Sequence, residues 1–417
     1  MIRREDTTIT TGTTIGRRTL LGAAAGVALV PAVIRGARAD QAPGITATEI
    51  KFGNTFPYSG PASAYATIAH AAAAYFKMIN EQGGINGRKL NFISYDDAYS
   101  PPKTVAQTRR LVEEDGVAFL FASLGTPTNT AIARYLNQKK IPHLFIASGA
   151  DKWTEYKEHP WTLIWAPTYR VEARIYGKYI NREFPNAKIG LLYQNDDFGK
   201  DYYLGLQDTL GDKFKKVTME AYEVTDATVD SQLISLKEAG VDVLVSACTP
   251  KFSAMVFRKK YELGWNATHI ASNVGISVSA VMEPAGPERA IGAISSYYLK
   301  DPTDPAWEDD AEMKAWRAFM AKYYPEGDVT DAQNVYGYGV AFTMCHVLNA
   351  CGNDLSRENI MRQALSLHQL RCPGTLPGMT LNTSPTDYVP MKQMQLQKWT
   401  GKTWARFGDL IEGSNLT

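Results

Sequence analysis

The sequence predicts an α/β protein of two Rossmann-like, doubly wound units, and three observations carry that prediction. Short apolar runs alternate with helical stretches along most of the chain. The runs are unbroken, as strands covered on both faces of a parallel sheet require. The alternation also occurs twice, over about 120 residues each time. A length of 417 residues accommodates this, since domains usually hold roughly 100–200 residues.

In the first series Ile50–Thr55 reads as a strand, and Ala64–Gln82 as an Ala-rich helix stopped by Gly83-Gly84. Leu90–Tyr95 is a strand, and Pro101–Asp115 a helix with Pro in its first turn. Val117–Phe121 is a short strand, followed by a helix from about Thr126 to Lys139 and a strand at Pro142–Ala147. The second series opens with a helix at Tyr169–Phe184, then strand Lys188–Tyr193 and helix Gly199–Phe214. Strand Val217–Val224, helix Val229–Ala239, strand Val241–Ala247, helix Pro250–Leu263 and strand His269–Asn273 complete it. Beyond a strand at Ala290–Leu299, Asp301-Pro302-Thr303-Asp304-Pro305 is a stiff connection. It leads to helices near Glu308–Tyr324, Asp331–Ala350 and Arg357–Leu367, and to a hairpin over Met391–Phe407 turning at Gly401. Sending those helices back to the first unit requires three crossovers between two lobes, hence a hinge and a cleft. Lobe 1 then takes residues 40–166 plus about 296–375, and lobe 2 takes 167–295 plus about 376–417.

Composition narrows the function. Lys+Arg 44 against Asp+Glu 43 gives no clustered basic charge for nucleic acid. Residues 1–39 read as an export signal: Arg17-Arg18 precedes a 15-residue apolar run from Leu20 to Ile34, and Ala37-Arg38-Ala39 is a small-residue cleavage site. That run is shorter than the ~20 residues of a spanning helix. The paired arginines resemble a twin-arginine signal, with Sec export the alternative. Cleavage near Ala39/Asp40 would leave a periplasmic protein, where disulfides are permitted. Cys351–Cys372, closing a short helical excursion, is the favoured bridge; the alternative is that all four cysteines, Cys248 and Cys345 included, are free core residues.

Open parallel sheets bind ligands beyond the carboxyl ends of their strands. The loops there are Phe56–Pro61 with Tyr65, Ser123–Asn129, Ser148–Asp151, Gln194–Gly199, Cys248–Pro250 and Ser272–Gly275. Hydroxyls, amides, glycines and aromatics dominate them, which suits a small polar ligand. At Thr126-Pro127-Thr128 a helix start brings free N–H groups and hydroxyls together, and these can hold a carboxylate without any lysine or arginine. The plain alternative is an N-cap.

Several phrases together resemble the periplasmic solute-binding proteins of branched-chain amino acid ABC transporters. They are Gly83-Gly84-Ile85-Asn86-Gly87-Arg88, Tyr95-Asp96-Asp97, Ile141-Pro142-His143-Leu144-Phe145, Asn195–Asp201 and Asp301–Pro305, in order over roughly Ile45 to Phe407. The resemblance implies a type I periplasmic binding protein that closes on a small molecule and serves an inner-membrane permease as a monomer, with no cofactor, metal or nucleic acid. Position by position it implies ligand contacts at Tyr65, Thr126, Thr128, Ser148, Gly149, Ala150 and Asp151 in lobe 1, to which the strand-end loops add Leu124 and Gly125. In lobe 2 it implies Phe198 and Thr249, to which the strand-end loops add Gln194 and Asn273 and the ring-rich surround adds Tyr169. One departure stands out. Amino-acid binders of that family place an acidic residue after the last strand of lobe 2, where Ser272-Asn273-Val274-Gly275 has none. A buried ammonium without a counter-charge is costly. Unless Asp151 or Asp196 substitutes, an aromatic or other organic acid fits the ring-rich surround of Tyr65, Tyr169, Tyr193 and Phe198 better.

An enzyme is the rival class. Asp96-Asp97 and Asp196-Asp197 read as loop-end caps, and the sequence carries no GxSxG, HExxH or Walker motif. Gly337-Tyr338-Gly339 lies inside a helical pattern, which argues against a dinucleotide loop. A ligand sensor built on the same fold is the other alternative.

Overall fold

The computed structural model describes residues 43–413, so the export-signal expectation lies outside the described residues. Its first half contains β1 (Glu49–Phe56), α1 (Ala66–Glu81), β2 (Lys89–Asp96), α2 (Pro101–Arg109), β3 (Leu120–Phe121), α3 (Thr126–Gln138), β4 (His143–Ile146) and β5 (Thr162–Ile164). The strands form one parallel sheet in the order β2-β1-β3-β4-β5. Then follow α4 (Tyr169–Glu183), β6 (Ile189–Gln194), α5 (Asp197–Leu210), β7 (Thr218–Tyr222), α6 (Asp230–Glu238), β8 (Val243–Ala247), α7 (Pro250–Glu262), β9 (Thr268–Ala271), α8 (Glu283–Ala285) and β10 (Ile294–Tyr297). The chain ends with α9 (Ala311–Tyr323), α10 (Ala332–Ala350), α11 (Arg357–Ala364), β11 (Gln393–Trp399) and β12 (Trp404–Glu412). The second sheet runs β12-β11-β10-β9-β8-β6-β7; β11 alone runs antiparallel to its neighbours β10 and β12.

The chain passes between the sheets three times: from β5 to α4, from β10 to α9, and from α11 to β11. α9 and α10 pack on α1, beside the first sheet. The second and third passages pair with each other. Lys300 N–H bonds Gly374 O at 2.8 Å and Leu376 N–H bonds Tyr298 O at 3.0 Å, around an antiparallel bridge of Leu299 with Thr375. Asp301 stiffens the turn by accepting from Thr303 N–H (2.8 Å) and Oγ1 (2.7 Å). Among the described residues no helix is long and apolar enough to cross a membrane.

Several expectations shift in detail. The helix expected over 101–115 is α for nine residues and a π-turn over Arg110–Glu114. β5 was not anticipated, because three residues pair with β4 without any periodicity of their own. α5 starts at Asp197 rather than Gly199, because the Asp196 carboxylate caps it, accepting from the N–H groups of Phe198 (3.0 Å) and Gly199 (3.3 Å). The strand expected to reach Asn273 stops at Ala271, and Asn273–Gly275 forms a 3-10 turn capped by Ser272. All four cysteines are buried and free, so Cys351 and Cys372 are not bridged. Cys372 packs its thiol on Gly339 O (3.4 Å). Cys351 lies beyond the far end of the same helix, about 18 Å further along at 1.5 Å per residue.

The core of the first half is aromatic. Phe52 stacks on Phe119 at 4.9 Å, and Phe76, Phe92 and Phe121 meet edge to face around it. α10 crosses α1 at Gly337, where a Cβ would lie 2.4 Å from Ile68 O and 2.8 Å from the Ala71 Cβ. Backbone cannot yield there as a side-chain tip can. Gly337→Ala is therefore expected to lose about 1–3 kcal/mol of stability by overpacking, despite the better helix propensity of alanine. Urea unfolding monitored by circular dichroism checks this.

Candidate functional site

The carboxyl ends of both sheets face one cavity of about 670 Å³, counted to its open mouth. Small-molecule pockets usually span roughly 300–1,000 Å³. Each wall follows from local chemistry. Gly125, at φ 103°, starts α3; a Cβ there would stand 2.5 Å from the ring of Tyr99 and 2.6 Å from Thr128 Oγ1. Thr126 Oγ1 lies 2.8 Å from Ser148 Oγ, which also accepts Trp153 Nε1–H at 3.1 Å. Tyr169 lays its ring over Gly149, where a Cβ would come within 3.0 Å of it. The Tyr169 hydroxyl faces the Gly149 N–H and the Thr126 and Ser148 hydroxyls; burial nevertheless pushes its pKa up to about 12. A patch of neutral donors thus lies at the start of α3 and the end of β4.

Tyr99 reaches the cavity through backbone strain. Ala98 and Tyr99 are consecutive non-glycine residues at φ 52° and 58°, a costly arrangement that persists only where the surroundings enforce it. Asp96 accepts from Ala98 N–H at 3.0 Å, and Asp97 accepts from Tyr99 N–H at 2.9 Å and from Thr104 Oγ1 at 2.9 Å. The paired aspartates are loop organisers, not a catalytic pair.

The second half contributes Phe198, whose ring meets Tyr169 edge to face at 4.7 Å. It also supplies Thr249, Asn273 and Val274. Ala166, Pro167 and Tyr298 enter from the passages between sheets, Tyr297 from the end of β10, and Gln333 and Tyr336 from the first turns of α10. The Tyr336 hydroxyl is buried without a hydrogen-bond partner among the described residues. Apart from tyrosines, no ionisable side chain lines the cavity among the described residues. Burial raises the pKa of Tyr65, Tyr99, Tyr297 and Tyr298 well above the ordinary phenol value, so they remain neutral donors.

Ten of the residues singled out from sequence line this cavity: Tyr65, Leu124, Gly125, Thr126, Ser148, Gly149, Tyr169, Phe198, Thr249 and Asn273. Four do not. Thr128 turns its hydroxyl back to Leu124 O, and Ala150 is buried behind Ser148. Gln194 donates to Asp196 Oδ2 at 2.6 Å, and Asp151 faces Arg170 at 3.4 Å. Asp196, spent on its cap, is outside the lining as well, although its charge adds to the raised pKa of the lining residues Tyr99 and Tyr169. Tyr193 is also outside the lining. Sequence reading missed Tyr99 and the hinge tyrosines. The Asp96-Asp97 pair was the available signal for Tyr99; Tyr297 and Tyr298 read only as strand residues.

Hydrogen bonds and an ion pair hold the two halves together around the cavity. Tyr65 OH donates to Val274 O at 2.9 Å, Ser277 Oγ to Asp331 at 2.9 Å and Asp151 N–H to Asp201 at 2.7 Å, while Lys152 pairs with Asp197 at 2.7 Å.

Two strand-end surfaces meeting over an uncharged, ring-lined cavity define a bilobal binding protein. The chain belongs to the periplasmic binding protein family, whose model matches residues 49–403. That family comprises extracytoplasmic substrate-binding proteins, not enzymes, and the chain is a substrate-binding protein of that family. It is 25% identical over 322 residues to Leu/Ile/Val-binding protein homolog 1 of Brucella abortus, covering 74% of this chain and 81% of that protein. The fold matches a branched-chain amino acid ABC transporter protein of Thermus thermophilus with bound valine at TM-score 0.78 and 16% identity, over 88% of this chain and 97% of that one. It also matches an ABC transporter solute-binding protein of R. palustris in complex with benzoate at TM-score 0.72 and 18% identity, over 86% and 96%.

Asp201 carries a testable pH dependence. Burial pushes its pKa up to about 8, with Asp151 and Asp197 adding to the rise and Arg170 opposing it. Folding therefore takes up a proton at this group between the ordinary carboxylate range and pH 8, and its contribution to stability falls as pH rises through that window. Asp201→Asn keeps an acceptor for Asp151 N–H and removes the charge. Its unfolding free energy is expected to decline less between pH 5 and pH 8 than that of the parent, as denaturant titrations across that range would reveal.

Proposed function

We propose that this chain captures a small organic acid, an aromatic carboxylate above all, between its two halves in the periplasm, and delivers it as a monomer to an inner-membrane ABC permease. The observation that carries the reading is the cavity's chemistry: tyrosine and phenylalanine faces around a patch of neutral donors, with no charged side chain in the lining. Thr126, Ser148 and the Gly149 N–H offer a carboxylate hydrogen bonds at the start of α3, where the helix dipole adds to them. Rings such as Tyr65, Tyr169 and Phe198 supply apolar area to the rest of the ligand. The R. palustris neighbour described with benzoate supports this choice. Contacts from both halves favour the closed form by differential affinity, and the permease would read that closure.

Amino-acid binding in the same role is the second reading, favoured by the Brucella relative and the valine-bound neighbour. The uncharged lining weighs against it, because an ammonium group would be buried without a contacting carboxylate.

Thermal-shift and calorimetric titration with benzoate, cinnamate, leucine and valine separates the two. The aromatic acids are expected to stabilise the protein, by about 2.7 kcal/mol at 100 times the dissociation constant. Ser148→Ala is expected to weaken them about tenfold or more by removing a hydrogen bond to a charged group. Leucine or valine binding with no response to either aromatic acid would overturn the reading.

A further inference from the structure

Glu172, in the first turn of α4, is fully buried and forms no salt bridge among the described residues. Hydrogen-bond donors surround it instead. Its carboxylate accepts from the hydroxyls of Tyr176 and Tyr202, from Ser296 Oγ at 3.2 Å, from the Asn273 main-chain N–H at 2.8 Å and from Asn273 Nδ2. Burial raises its pKa and these donors oppose the rise. Glu172 lies outside the cavity lining, so these donors and not a ligand meet its carboxyl oxygens.

Asn273 is the element that faces both ways. It lines the cavity, yet its main-chain and side-chain N–H groups are both held by Glu172. With Nδ2 turned towards Glu172, Oδ1 on the same carbon turns away from it. No described residue donates a hydrogen bond to that oxygen.

We infer that Glu172 is a positioning residue that sets ligand specificity: it fixes the Asn273 carboxamide so that the cavity presents an acceptor there, and the fitting ligand carries a hydroxyl group away from its carboxylate. The inference rests on the organic-acid reading and deepens it. A hydroxyl fits this place better than an ammonium. With Glu172 outside the lining, an ammonium would meet only a carbonyl dipole while losing its hydration. A hydroxyl needs one acceptor, and leaving that acceptor unpaired costs binding when the hydroxyl is missing.

Calorimetric titration of the full chain with benzoate and with ortho-, meta- and para-hydroxybenzoate tests this. At least one hydroxylated acid is expected to bind about tenfold or more tightly than benzoate, the size of one buried hydrogen bond. In Glu172→Gln the side chain has one acceptor oxygen in place of two, so the hold on Asn273 loosens. The hydroxyl preference should then shrink to about threefold or less while benzoate affinity stays nearly unchanged. A merely structural role would weaken all four acids alike. Should Glu172→Gln fail to fold, Asn273→Ala removes the acceptor itself, and the ratio of hydroxybenzoate to benzoate affinity is expected to fall to about threefold or less, whatever the change in benzoate affinity. Benzoate binding without any hydroxyl preference in the parent, or preference retained in Asn273→Ala, overturns this inference and leaves the acid reading standing. No binding of any of the four acids overturns both.

Discussion

An anion can leave water only if other hydrogen-bond donors take over its solvation, and in this fold those donors come from the ends of parallel strands. There the main chain runs out of sheet partners just as the next helix begins. At Thr126, Ser148 and Gly149 two such ends sit side by side, and their hydroxyls are already within hydrogen-bond distance. Donors arranged by the backbone cost little reorganisation when a ligand arrives, because the sheet and the start of α3 already fix them. The absence of lysine and arginine from the described lining is then a consequence. A fixed cation would be expensive to bury between encounters, whereas dipoles are not.

Holding those ends opposite the second sheet requires stiff halves and a compliant joint. Stiffness comes from close backbone approach: α10 lies against α1 at Gly337, and α5 against α4 at Gly205, where a Cβ would meet Arg170 O at 2.5 Å. The joint is different in kind. Two of the three passages are tied by a few main-chain hydrogen bonds around Leu299 and Thr375, a narrow ribbon beside which Tyr297 and Tyr298 enter the cavity. The cavity lining and the crossover geometry therefore share residues. Contacts made on closure can thus bear directly on the segment that must bend.

Most of the architecture was legible because it depends on local pattern. Unbroken apolar strands, prolines in first turns and the Gly83-Gly84 stop each act within a few residues, and the two-sheet fold follows from them. Ten of the residues picked from loops at strand ends line the cavity. What escaped depends on tertiary context. β5 exists only because β4 offers an edge. Tyr99 reaches the cavity only because two aspartates hold two left-handed residues in place. Thr128, one position beyond a proline in a hydroxyl-rich turn, satisfied the same pattern as Thr126 but turns back onto Leu124 O. Spacing alone cannot say which of two hydroxyls on a helix start points outward.

Glu172 shows why the missing carboxylate of the last lobe 2 loop was only half of the electrostatic question. A carboxyl group is present, but one layer back and surrounded by hydroxyl and amide donors. Its effect on the cavity is therefore directional more than Coulombic: it decides which end of an amide faces inward. Moving a carboxyl group behind an amide in this way turns a site that would pair with a cation into one that reads a neutral donor. The arrangement also explains why Tyr176, Tyr202 and Ser296 lie fully buried with their hydroxyls turned to one carboxylate. Without them, the burial cost of Glu172 would fall on Asn273 alone, and two N–H groups of one residue cannot solvate a carboxylate.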